Sequence, residues 1–128
     1  MSISKRIADG TIMDLNTLVV ALWGSAELLK YGKAPDKDRA IKRLEGIKED
    51  IRKLERDEGL FIEGLQLYYH FSSDEIHAIE LSKFSQYIKA IEEGHLDNTI
   101  SDLRNLNNKL EEKVREYFSE KLPQRAYL

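Results

Sequence analysis

Ile12, Leu15, Val19, Leu22, Ala26 and Leu29 follow one another at alternating steps of three and four. That spacing places one apolar stripe along a helix face and is incompatible with the two-residue period of a strand. Steps of three and four return at Ile41, Leu44, Ile47, Ile51 and Leu54, at Ile76, Ile79, Phe84, Ile88 and Ile91 with one step of five, and at Ile100, Leu103, Leu106, Leu110, Val114 and Phe118. A helix with a single stripe has one face to bury, and other helices with one stripe each can cover it. The expected fold is therefore all-α: a four-helix bundle built from two antiparallel αα-hairpins.

Local signals set the boundaries. Gly32 and Pro35 close the first helix and open the second. Gly59 and Gly64 make a bend or break possible further on, each costing ~1 kcal/mol against alanine inside a helix. Ser72 and Glu75 have the spacing of a capping box, in which a hydroxyl and a carboxylate satisfy the free amides at a helix start. Gly94 stops the third helix, Asp97 or Asn98 caps the fourth, and Pro123 ends it. One helical domain over 1–128 is expected, with hairpin 1 at about 11–70 and hairpin 2 at about 73–122.

Composition narrows the function. The chain has no cysteine, which excludes disulfides, thiolate nucleophiles and thiolate metal sites, and fits a reducing compartment. Its 20 Lys and Arg against 23 Asp and Glu give a net charge of −3, with no positive field to hold a phosphate backbone. Nucleic acid is not an expected partner. No uninterrupted apolar run reaches the ~18 residues of a membrane span, so a cytoplasmic protein is expected.

One stretch resembles a known family. "IMDLNTLVVALWGSAELL", residues 12–29, aligns without gaps with the phosphoacceptor helix of histidine kinases, approximately S-H-E-L-R-T-P-L-T-S-I-R-G-Y-A-E-L-L. It shares Leu15, Thr17, Gly24, Ala26, Glu27, Leu28 and Leu29, with Asp14 and Leu22 as conservative matches. "RLEGIKEDIRKLE" looks like the second helix of that dimerisation hairpin, so the likeness covers roughly residues 10–60. Met13 stands where the family has its phosphoacceptor histidine, and Leu18 where it has its proline. Met has no nucleophilic nitrogen. The resemblance therefore implies a dimerisation scaffold without phosphotransfer chemistry, with Met13 off the buried seam.

Elsewhere, reactive groups are sparse. His77 lies in "DEIHAIE" and could serve as the acceptor of a small phosphotransfer protein, but the Lys and Gly that accompany such a histidine are missing. His70, Asp74 and His77 do not form the paired Glu-x-x-His motifs of bundle metal sites. No catalytic residue, cofactor or metal is expected. Apolar surface is more informative. Phe61, Tyr68 and Tyr69 sit in a stretch that is apolar on more than one face, and Val20, Trp23 and Leu28 lie off the first helix's stripe. These six residues are the expected interface of a homo-oligomer or protein complex. The reading is a non-catalytic, regulatory or interaction module. Its alternatives are a phosphotransfer protein using His77 and a structural subunit of a larger assembly.

Overall fold

The structure is a computed structural model that describes residues 2–121. Those residues form six helices and no strand: α1 (Ile3–Tyr31), α2 (Ala34–Glu55), α3 (Glu58–Tyr68), α4 (Ser73–Ala78), α5 (Leu81–Glu92) and α6 (Leu96–Lys121). The all-α expectation holds. The expected end of the last helix at Pro123, and residue 122 of hairpin 2, lie outside the described residues.

α1 is the central element, packed against α2, α3 and α6. It begins at Ile3, eight residues before the expected start of the hairpin, because the Ser2 hydroxyl accepts from the Lys5 amide and caps it. Its predicted seam is buried from Ile12 to Ala26 and continues upstream through Ala8 and Ser4. α2 and then α3 run back along it. The Arg43 guanidinium reaches Gly24, Asp50 and Lys53 flank Asp14 and Thr17, and Tyr68 Oη meets Ser2 Oγ at 2.8 Å. α6 also runs antiparallel to α1, from the Lys30–Asp97 ion pair at one end to Lys5 over the Tyr117 ring at the other.

The breaks differ from those expected. The long second helix stops at Glu55 and restarts at Glu58, just before Gly59. Gly64 lies inside α3, where it permits a close crossing. A methyl group at 64 would overlap the Ser4 carbonyl oxygen and lie 2.6 Å from Ala8 Cβ. The expected third helix is two helices, because Ile79 and Glu80 leave helical geometry. The Glu58 carboxylate accepts the Leu81 amide at 2.8 Å, so a residue 23 positions away supports the start of α5. Gly94, at φ +86, makes the turn into α6, a conformation glycine adopts without strain. α6 starts at Leu96, so neither Asp97 nor Asn98 is its cap; Asp97 occupies the first turn, where a negative charge suits the helix dipole.

Two stripe assignments shift by one residue. Ile41 is exposed, and Ala40 takes its place inward, so α2 buries Ala40, Leu44, Ile47 and Ile51. Phe118 is exposed and Tyr117 is buried, stacked on Tyr69 with ring centroids 4.2 Å apart.

The Ser72–Glu75 capping box forms as expected. Glu75 also binds Lys113 at 3.1 Å and Lys109 at 3.3 Å, tying α4 to α6. Partial burial pushes its carboxyl up. The Ser72 amide and the two lysines outweigh that and hold it at about 2. Its folded pKa thus lies below the ~4.3 of an unfolded glutamate. The stability it confers is complete above that value and is lost as pH falls towards 2. Glu75→Ala is expected to cost about 1–2 kcal/mol at neutral pH. It should also flatten the fall in thermal midpoint between these two pKa values. An unchanged acid profile would remove Glu75 from this role.

Candidate interaction surface

The six residues singled out for an interface divide between the interior and the surface. Phe61 and Tyr69 are core residues, 0 % and 3 % exposed. Phe61 is enclosed because α3 crosses α1 at the narrow Ser4–Ala8–Gly64 contact, which brings its aromatic side against the α1 seam. Tyr69 stacks on Tyr117 and donates to Asp9 Oδ1 at 2.8 Å. Burial, then the bond to Asp9, push its phenol well above the usual range. Tyr68 is half-buried at the same end. These three aromatics are therefore largely committed within the chain.

The α1 residues have a different placement. Trp23 is half-buried: Arg104 of α6 lies over its ring at 5.7 Å and its indole N–H donates to Glu27 at 2.8 Å. The sequence carries no local signal of Arg104, which is 81 positions away. Val20 is 49 % exposed and Leu28 is half-buried. Met13, at the position of the missing phosphoacceptor, is exposed and off the buried seam.

Val20 and Met13 belong to a second stripe. Gly10, Met13, Thr17, Val20 and Gly24 succeed one another at steps of three and four, on the side of α1 away from its buried seam. The stripe ends at Tyr31, with Glu27 in the intervening place. No charged residue occurs between Asp14 and Glu27, although 34 % of the chain is charged. The Thr17 hydroxyl donates to the Met13 carbonyl at 3.0 Å, so it is already satisfied within the helix. α1 is also long and apolar enough to cross a membrane by length and composition, but 39 % of its most apolar window is buried by the rest of the chain.

The histidines stand apart. His77 is exposed on α4, 3.5 Å from the Glu80 carboxylate. His70 ends the α3 turn at φ 55, with its carbonyl accepting from Lys113 at 3.0 Å. His95 lies in the turn before α6, 3.8 Å from Glu93. Among the described residues, no three His, Asp or Glu side chains converge as metal ligands.

An apolar cleft of about 340 Å³ lies between α4, α5 and α6, floored by Phe71, Ile79, Leu106 and Leu110 and edged by Asp74 and Asp102. Burial, with the nearby Asp102 charge, raises the Tyr87 phenol at its edge. The cleft brings no nucleophile and base together. No family model, curated protein or solved structure matches this chain.

Proposed function

We propose that this chain is a non-catalytic helical interaction module, a four-legged bundle in which α2 and α3 form one interrupted leg and α4 and α5 another. It works in the cytoplasm by packing against a second copy or a protein partner. The observation that carries this reading is the outer stripe of α1: apolar, uncharged from Leu15 to Ala26, and exposed at Met13 and Val20. The likeness of residues 10–60 to a histidine-kinase dimerisation hairpin agrees with it, with Met13 making the hairpin a scaffold without phosphotransfer.

Sedimentation of the chain alone at micromolar concentration tests the association. A species heavier than 14.9 kDa is expected, and a monomer under all conditions would count against self-association. Incubation with labelled ATP and acetyl phosphate tests the absence of chemistry. No label is expected on the wild type, on Met13→His or on His77→Ala. A phosphoacceptor imidazole requires an aligned donor and an acid–base partner, and alignment alone is worth ~7–11 kcal/mol of barrier. The exposure of His77 beside Glu80 supports one competing reading, a phosphotransfer protein. Label on the wild type that vanishes in His77→Ala would establish that reading instead.

A further inference from the structure

The outer stripe of α1 has opposite charges at its two ends. Arg6 lies one step before Gly10, and Glu27 one step after Gly24. Neither has an ion-pair partner among the described residues; Glu27 accepts only the Trp23 indole N–H. Between them the stripe keeps heptad spacing, the pattern by which two helices mesh along a seam. Its glycines are not explained by packing within the chain. A methyl group at 10 would meet nothing within 4 Å, and one at 24 only the tip of Arg43 at 3.5 Å. Each is nonetheless a helix-interior glycine, costing ~1 kcal/mol against alanine.

We propose that a second copy of this chain docks on this face, α1 against α1, antiparallel, about a two-fold axis close to Thr17. Charge selects the direction. A parallel pair sets Arg6 against Arg6 and Glu27 against Glu27. An antiparallel pair sets Arg6 against Glu27 at both ends, which in an isologous interface forms the contact twice. The same register places Met13 opposite Val20 and Gly10 opposite Gly24, so the backbones approach closely on both sides of Thr17. A 29-residue helix spans about 43 Å. One helix pair of that length buries less than the ~800 Å² per partner of a standard interface, so a micromolar dimer is expected. This inference rests on the interaction-module reading and adds the partner, the face and the direction.

Sedimentation of the full chain, with far-ultraviolet circular dichroism as the folding control, supplies the first arm. Val20→Glu should weaken the dimer by roughly tenfold or more while leaving helix content unchanged. Arg6→Glu and Glu27→Arg should each weaken it alone and restore it when the two variants are mixed. The second arm exploits the lack of native cysteine. Thr17→Cys should cross-link to itself, whereas Gly10→Cys and Gly24→Cys should cross-link only when mixed. Self-cross-linking of Gly10→Cys would make the pair parallel and overturn the proposal. A dimer insensitive to Val20→Glu would overturn it while leaving the interaction reading in place. A wild-type monomer would overturn the proposal and leave the interaction reading to a different protein partner. A monomer that co-sediments with phosphatidylcholine vesicles, and loses them on Val20→Glu, would assign the face to a lipid surface instead.

Discussion

Gly64→Val should lower the stability of the fold by about 3 kcal/mol, the upper end of the usual penalty for overpacking. The reason is the crossing of α3 over α1. The first carbon of any side chain at 64 is directed into the Ser4 carbonyl and the Ala8 methyl, both on a helix backbone that cannot turn aside. Ala8 is fully buried and Ser4 is 7 % exposed, so no solvent gap is available to take the displaced atoms. Gly64→Ala is the sharper control. In a helix interior that change alone should stabilise by ~1 kcal/mol. A loss of thermal midpoint in the alanine variant, larger in valine, therefore isolates the crossing contact. A rise in the alanine variant would mean that α3 does not approach α1 this closely.

Phe61→Ala should cost about 3–5 kcal/mol, through the lost transfer energy of the ring and the cavity left behind. Against a total stability of roughly 5–15 kcal/mol for a domain, this is enough to leave the variant marginally folded. Phe61 is fully buried and belongs to the same cluster as Leu15, Leu22, Leu65 and Leu103. Leu67, one turn and a half further along α3, is 58 % exposed, and its alanine variant should change stability by less than ~0.5 kcal/mol. Denaturant unfolding of the two variants decides between interior and interface for the aromatic segment. Equal midpoints would return Phe61 to the surface. A large loss for Phe61→Ala alone assigns it to the fold, with no role reserved for a partner.

That contrast separates what periodicity specifies from what packing decides. A stretch apolar on several faces is what both a core helix and an interface helix look like, because periodicity records which residues avoid water and not what shields them. Phe61 and Tyr69 were shielded by α1 and α6; Val20, equally off the first seam, was not. Ile41 and Phe118 show the same ambiguity at the scale of one residue. Adjacent Ala40 and Tyr117 point 100° away, and only the position of the neighbouring helix decides which is enclosed.

Helical identity, the turns at Gly32 and Gly94, the Ser72–Glu75 box and the buried seam from Ile12 to Ala26 were set by short-range chemistry, which a linear sequence displays in full. The break at Ile79–Glu80, the α1–α3 crossing at Gly64 and the stacking of Arg104 on Trp23 were decided by tertiary structure alone. Each depends on a partner many residues distant, Glu58 for Leu81, Ser4 for Gly64, Arg104 for Trp23, and such pairings acquire their energy only once the helices are packed together.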